Sequence, residues 1–212
     1  MGRGVGEALM KLVGDKLSAV RGEHMVFREV SFEVAGGEML LVSGPNGAGK
    51  TTLIRIVAGL LPAAAGAVRL EGRRRDATTG EECLYVGHLD GVKARLTVEE
   101  NLRFWGRYLG GAEAAVADAL ADFGLSPVRD VPAAYLSAGQ KRRLALSRLR
   151  VARRPIWLLD EPTVALDAAA QAALTAALAA HIAGGGLALA ASHVPLGIAA
   201  AKELRLGAAA RQ

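Results

Sequence analysis

The chain has 212 residues, 51% of them hydrophobic, which is enough for one compact domain with its own core and too little for two full domains. Its formal net charge of +5 suits an anionic ligand or a membrane surface. The single cysteine, Cys83, excludes an internal disulfide and a zinc site built from several cysteines, and it favours a reducing compartment such as the cytoplasm.

The N-terminal part of the chain alternates extended segments with turns before it reaches a glycine-rich loop. Residues 1–15 carry no pattern that we can assign and are treated as an extension, and residues 207–212 are treated as a tail. The predicted domain therefore covers residues 16–206. Composition and turn residues predict strands at 17–20, 26–34, 39–43, 68–70 and 84–86.

A phosphate-binding loop follows the apolar segment 39–43 directly. It fits the pattern G-x-x-x-x-G-K-[ST] with the residues Gly44, Pro45, Asn46, Gly47, Ala48, Gly49, Lys50 and Thr51. A strand before the loop and a helix predicted over 51–60 after it are the context that this motif requires. Lys50 is expected to reach the β- and γ-phosphates of ATP and Thr51 to ligate Mg²⁺, and we include the neighbouring Thr52 in the site.

A helical insert follows, from about residue 97 to residue 153. Thr97 is a candidate N-cap with Glu100 three residues later, and residues 113–123 carry apolar side chains at helical spacing. Near the end of the insert, Ser137, Ala138, Gly139 and Gln140 open the basic helix predicted over 138–153. A hydroxyl and backbone amides at a helix start form a second candidate anion site.

After the insert, the strand predicted over 156–159 ends in two adjacent acids, Asp160 and Glu161. Ligands of open α/β sheets bind at the carboxyl ends of the strands, so both acids are expected beside the nucleotide. Asp160 can hold Mg²⁺ and Glu161 can polarise the attacking water. Trp157, inside the same strand, is predicted to fill the core or an interface.

The segment from Ala168 to Ala201 contains no charged residue, yet its glycines and polar residues interrupt any run long enough for a membrane span. A helix over 168–181, a turn at 184–186 and a buried strand over 187–191 fit it better. The alternation of strands and helices predicts an α/β fold of the P-loop NTPase type. We expect a mainly parallel sheet, an antiparallel N-terminal part and a small helical insert.

The stretch Leu136-Ser137-Ala138-Gly139-Gln140, between the two nucleotide motifs, resembles the signature of ABC-type ATP-binding cassettes. That resemblance implies a homodimer that closes head-to-tail on two Mg-ATP, with residues 137–140 facing the ATP of the other protomer. It also implies that Asp167 lies in a D-loop at the dimer seam and that His193 contacts the γ-phosphate, so Lys50, Glu161 and His193 form the expected catalytic set.

His88 stands where most members of the family have glutamine, and as a neutral imidazole it could contact Mg²⁺ or its water. The aromatic residue that usually stacks on adenine is missing, and Val20 with the stem of Arg21 is the expected substitute. Residues 84–105, with the pair Gly87-His88, resemble more narrowly the ATP-binding subunit of the haem exporter in cytochrome c maturation.

The narrower resemblance implies a peripheral protein at the cytoplasmic face of the inner membrane, partnered by membrane-spanning subunits that Trp105 and its neighbours would contact. It implies ATP hydrolysis coupled to haem delivery. Direct haem binding is not expected, because the chain has four histidines, one cysteine and no C-x-x-C-H motif. Two alternatives stay open: a cassette serving another substrate, and a soluble ABC ATPase acting on DNA or the ribosome. Nucleic acid is the less favoured partner because no coiled-coil arm, second cassette or zinc-binding cysteines are present.

Overall fold

The computed structural model describes residues 10–72, 78–199 and 201–207. The strands are β1 (Lys11–Arg21), β2 (His24–Ala35), β3 (Met39–Ser43), β4 (Ala65–Glu71), β5 (Cys83–Val86), β6 (Ile156–Asp160), β7 (Leu187–Ala191) and β8 (Lys202–Arg205). The helices are α1 (Lys50–Val57), α2 (Thr79–Glu82), α3 (Val98–Tyr108), α4 (Ala115–Asp122), α5 (Ala138–Val151) and α6 (Ala168–Ala183), with short 3₁₀ turns at Ser126–Val128 and Ala133–Tyr135.

An antiparallel sheet in the order β2-β1-β4 forms the N-terminal part of the domain. Alternate residues of β2 point inward: Phe32 and Val34 are buried, whereas Glu33 between them is exposed. β1 already begins at Lys11, which pairs with Ala35 of β2. Residues 11–15, assigned from sequence to the extension, are thus part of this sheet, whereas residues 1–9 and 208–212 lie outside the described residues.

A parallel sheet in the order β5-β6-β7-β3-β8 forms the centre of the molecule. Every residue of β6 and β7 is buried, as expected for apolar strands covered on both faces. Trp157 and Leu159 of β6 pack in the cluster shared with the helical insert. Ile156 and Leu158 pack on the other face, against α1 and the antiparallel sheet. The predicted α/β class is confirmed.

The helical insert consists of α3 and α4, the two short turns and α5. Thr97 accepts a hydrogen bond from the backbone N–H of Glu100, whose side chain accepts one from the backbone N–H of Thr97, so the predicted cap is present. Leu102, Leu120 and Leu144 from the three helices are buried in one cluster with the parallel sheet. The insert is therefore packed on the sheet by a continuous apolar core.

Helix α1 ends at Val57, three residues before the predicted end. Gly59 adopts a positive φ of 71° and donates its N–H to Ile56, while Leu60 donates its N–H to Arg55. These two bonds form a Schellman motif, which ends the helix. The uncharged segment after β6 folds as α6 and β7, and no helix within the described ranges is both long and apolar enough to cross a membrane.

Candidate nucleotide and magnesium site

The phosphate loop, residues 44–51, connects β3 to α1 at the carboxyl end of the parallel sheet. Gly44 and Gly49 have φ of 139° and 96°, a region that favours glycine. A Cβ at Gly44 would lie 2.4 Å from the carbonyl oxygen of Leu206, and one at Gly49 would lie 2.5 Å from Val26 Cγ1. Both the curvature of the loop and its close packing thus require glycine at these positions.

Lys50, the first residue of α1, is buried and turns back over the loop. Its Nζ donates hydrogen bonds to the carbonyl oxygens of Gly44 at 2.9 Å and Pro45 at 3.2 Å. Nε2 of His193, which follows β7, lies 3.2 Å from the same Nζ. The predicted phosphate ligand Lys50 and the predicted γ-phosphate contact His193 are therefore brought together.

Thr51 and Asp160 bring two side-chain oxygen atoms together. The Thr51 hydroxyl donates to Asp160 Oδ1 at 2.8 Å, joining the start of α1 to the end of β6. Asp160 is fully buried, and its Oδ2 has no hydrogen-bond partner among the described residues. An alcohol oxygen beside an unsatisfied buried carboxylate fits Mg²⁺, which prefers oxygen ligands and commonly takes only one or two protein carboxylates.

Within the described ranges, no group of three or more histidine, cysteine, aspartate or glutamate side chains is placed to hold a metal ion. The fit at Thr51 and Asp160 does not depend on such a cluster, since phosphate and water oxygens complete magnesium sites of this kind.

Glu161 stands just beyond β6 in a left-handed backbone conformation, with φ of 48°. Its N–H donates to the carbonyl oxygen of Ala191 at 2.9 Å, and its Oε1 lies 3.2 Å from His193 Nε2. Non-glycine residues in this region are uncommon and occur often at functional sites. Lys50, Glu161 and His193 converge on one place, which can hold a phosphate and the water that attacks it.

The signature residues lie on the surface, at the start of α5. Ser137 and Gln140 form a capping box, in which the Ser137 hydroxyl accepts from the Gln140 N–H at 3.2 Å. Ser137 and Ala138 are exposed, and Gly139 approaches the carbonyl of Ala165. Among the described residues, no hydrogen bond or ion pair links residues 137–140 to Lys50, Glu161 or His193.

Asp167 also bonds to residues of its own chain. Its Oδ1 accepts from the N–H of Ala170 at 2.9 Å and caps α6, and its Oδ2 pairs with Arg143 at 2.9 Å. Its predicted place at a dimer seam stays a prediction. The same holds for adenine packing on Val20 and Arg21, which end β1 with Val20 46% exposed.

His88 is exposed in the loop after β5, so its predicted contact with Mg²⁺ also stays a prediction. The residues near it in sequence are held by hydrogen bonds, because the buried Arg142 donates to Gly87 before it and to Asp90 after it. Sequence reasoning recorded Arg142 only as part of a basic cluster. Its spacing from the buried Ala145, Leu146 and Leu149 places it on the inner face of α5, and that period was the available signal.

The chain is similar to known proteins over most of its length. The family described as ABC transporter matches residues 27–164. A cytochrome c biogenesis ATP-binding export protein CcmA from Nitrobacter winogradskyi is 52% identical over 201 residues, covering 95% of this chain and 100% of that protein. The protein of the same name from Rhizobium meliloti is 48% identical over 206 residues, covering 93% and 98%.

Two solved structures resemble the fold. A structure described as the ATP-binding subunit of an ABC transporter has a TM-score of 0.77 and 29% identity, covering 86% of this chain and 79% of that one. A putative ABC transporter ATP-binding protein from Pyrococcus furiosus has a TM-score of 0.79 over 92% and 97% of the two chains, and at 21% identity it supports the fold alone.

The prediction of an ATP-hydrolysing transporter subunit is thereby confirmed. The chain belongs to the ABC transporter family and, within it, to the CcmA family of cytochrome c biogenesis ATP-binding export proteins.

Proposed function

We propose that this chain hydrolyses Mg-ATP at the junction of the phosphate loop with the ends of β6 and β7, and that this hydrolysis drives haem delivery for cytochrome c biogenesis through membrane-spanning subunits. The observation that carries the proposal is the convergence of Lys50, Glu161 and His193, with Nζ and Oε1 each 3.2 Å from the same imidazole nitrogen.

Each of these side chains has a distinct chemical part in the proposal. Backbone N–H groups of the phosphate loop and the Lys50 ammonium bind the β- and γ-phosphates and stabilise the negative charge that develops there. Thr51 and Asp160 would hold Mg²⁺, which when bound helps to neutralise the same charge. Glu161 orients the attacking water and accepts its proton, and His193 holds the carboxylate and the γ-phosphate in register.

The same proposal includes a head-to-tail homodimer. Residues 137–140 present an exposed hydroxyl and a helix start. Among the described residues, they form no bond to the group of Lys50, Glu161 and His193 in their own chain. A second copy supplies them to that group across the interface, so that each ATP contacts two protomers. Asp167 and His88 are expected at the edges of the shared site.

An apolar surface beside His88 is the proposed contact for the membrane-spanning subunits, at the cytoplasmic face of the inner membrane. Leu89 is 88% exposed, and two residues later the carbonyl oxygen of Gly91 accepts a hydrogen bond from Trp105. Phe104, Trp105 and Tyr108 of α3 lie against one another, with Lys93 over the rings of Phe104 and Trp105. Exposed aromatic and aliphatic side chains that adjoin a basic residue are typical of a protein interface.

The direct test is Glu161→Gln, which keeps the shape of the side chain and removes the base. We expect the turnover number for ATP to fall on the order of 10²- to 10⁴-fold with ATP binding retained, because a general base contributes about that much. Unchanged turnover would refute the assignment of Glu161.

The transport role is tested in cells that lack the chain. Covalent attachment of haem to c-type cytochromes should be lost, restored by the wild type and not restored by Glu161→Gln. Normal c-type cytochromes in the absence of the chain would reject haem delivery while leaving the ATPase assignment intact.

A further inference from the structure

Arg142 lies on the inner face of α5 and is only 5% exposed. Its guanidinium bonds to two chain segments that follow neighbouring strands. Nη1 donates to the carbonyl oxygen of Gly87 at 2.6 Å and to Asp90 Oδ1 at 3.2 Å. Nη2 donates to the carbonyl oxygens of Glu161 at 2.8 Å and Asp160 at 3.3 Å.

These bonds begin where the sheet ends. The parallel ladder between β5 and β6 stops at the pair Val86 and Leu159. The next residues along the two strands are Gly87 and Asp160, and both present a carbonyl oxygen to the same guanidinium. Because the guanidinium is a rigid planar fork with donors on both arms, it can span two strands where backbone hydrogen bonds no longer do.

The bond to Glu161 falls on a residue whose backbone conformation needs support. Glu161 has a positive φ. Its N–H donates to the carbonyl oxygen of Ala191, and its carbonyl oxygen accepts from Arg142. A left-handed conformation of a non-glycine residue persists only where its surroundings impose it. The direction of the Glu161 side chain toward His193 therefore depends on the bond to Arg142.

The charge of Arg142 is balanced locally by Asp90. A second arginine of α5, Arg148, is also buried and lies over the ring of Trp105. Burial is the main reason that the pKa of Arg148 is lowered to about 10; the charge of Asp90 opposes the lowering and that of Arg142 adds to it. The ion pair between the buried Arg142 and the partly buried Asp90 thus attaches the loop 87–90 to α5.

We propose that Arg142 is a positioning residue for ATP hydrolysis, which joins the catalytic carboxylate, the loop 87–90 and the signature helix into one unit. It acts through Glu161 and does not touch the nucleotide, and the inference rests on the proposed role of Glu161. Ser137 caps the same helix, α5. If α5 shifts when a partner copy binds Ser137, Arg142 would transmit that shift to Glu161.

Arg142→Lys tests the proposal because lysine keeps the charge and loses the fork. One ammonium cannot span the carbonyl oxygens of both strands with the same geometry. We expect the turnover number for ATP to fall at least about tenfold, with the dissociation constant for ATP within about threefold of wild type. Hydrogen exchange of the backbone should rise both at 87–90 and at 160–163.

The matched control is Arg150→Lys, on the same helix. Arg150 is half-exposed and pairs with Asp122 at the surface at 2.7 Å, so its replacement should leave turnover and exchange unchanged. Arg142→Lys with wild-type turnover, or with a loss of ATP affinity that accounts for the whole loss of activity, overturns the proposal.

Two further measurements keep the test decisive. If Arg142→Lys does not fold, Asp90→Ala removes a single hydrogen-bond acceptor of the guanidinium, and it should lower turnover at unchanged ATP affinity. Wild-type turnover of that variant overturns the proposal. Glu161→Gln is assayed in parallel: if it retains full turnover, the assignment of Glu161 fails first, whereas an inactive Glu161→Gln beside a fully active Arg142→Lys rejects the coupling alone.

Discussion

The two anion-binding regions of this molecule differ in how complete they are within one chain. In the region of the phosphate loop, Lys50 and Asp160 are buried, and the side chains of Lys50, Thr51, Asp160, Glu161 and His193 are already in contact with one another. The signature residues 137–140 are exposed or half-buried, and their recorded side-chain bonds only close the first turn of α5.

This difference follows from local chemistry. A phosphate loop must curl its backbone and bury a lysine, so the chain supplies neighbours such as the carbonyl oxygens of Gly44 and Pro45. A capped helix start needs only its own serine and glutamine to form, and it remains free to meet a ligand. One region is therefore assembled by folding, and the other is the region that the proposed dimer would supply to a second chain.

Asp160→Asn breaks the assembled region and should have the largest effect. We expect ATP hydrolysis to fall on the order of 10³-fold, because the carboxylate proposed to hold Mg²⁺ becomes a neutral amide. The melting temperature should not fall, since a buried carboxylate with an unpartnered oxygen is replaced by an uncharged group of the same shape.

Steady-state hydrolysis and thermal melting measure the two effects. ATP binding in EDTA should match that of wild type, because the phosphate loop is intact. Asp118→Asn, the same change at an exposed position of α4, is the control. A large loss of stability in Asp160→Asn would contradict the expectation that the buried carboxylate of Asp160 is not needed for folding.

Ser137→Arg breaks the exposed region. We expect about a 10²-fold loss of hydrolysis, since the bulky side chain occupies the surface that a partner's phosphate must reach. The lost cap costs only about 1 kcal/mol of stability, so the variant should fold and bind ATP at its own phosphate loop. Ser126→Arg places the same side chain at another exposed serine of the insert and should remain active.

Mixing the two inactive variants sharpens this test. In a head-to-tail dimer of Asp160→Asn with Ser137→Arg, one site carries both defects and the other carries none. Hydrolysis by the mixture should therefore exceed that of either variant alone at the same total concentration. A mixture no more active than its parts would contradict the shared site.

The sequence predicted the features whose physics is local. The phosphate loop, the acids at the end of β6, the cap at Thr97 and the helix start at Ser137 each depend on residues within a few positions of one another. Because parallel strands end at one edge of the sheet, these local features are brought together there. The hydrogen bond between Thr51 and Asp160, which are 109 positions apart, is one result.

The features that sequence reasoning missed depend on distant partners. β8 has the composition Lys-Glu-Leu-Arg, without an apolar pattern, and it forms because it pairs with β3 and because Lys202 contacts Glu38 at 2.6 Å. Arg142 lies between two other basic residues, Lys141 and Arg143. Its helical spacing from Ala145, Leu146 and Leu149 indicates the inner face of α5, but its bonding partners at the ends of β5 and β6 are apparent only in the folded chain.

The smallest effect concerns His181, which stabilises the fold far from the nucleotide. Its ring stacks on Trp157 at 3.8 Å between centroids, and its Nε2 lies 3.2 Å from the carbonyl oxygen of Leu187. Burial lowers the pKa of His181 below its usual 6.5, partly opposed by hydrogen bonds to Leu187 and Pro155. The folded state therefore favours the neutral ring, and its contribution is fully present above about pH 6.5 and is lost as the pH falls through the lowered value.

Melting curves of wild type and His181→Phe between pH 7.5 and 5 measure this contribution. Phenylalanine keeps the stack and cannot titrate, so the wild type should lose more stability on acidification, by on the order of 1 kcal/mol or less, which is up to about 2–4 °C for a chain of this size. Replacement of the exposed His24 by glutamine should leave the wild-type pH dependence unchanged, because that ring has no burial to lose. Parallel curves for wild type and His181→Phe would show that the ring binds protons equally in the folded and unfolded states, and would contradict the lowered pKa.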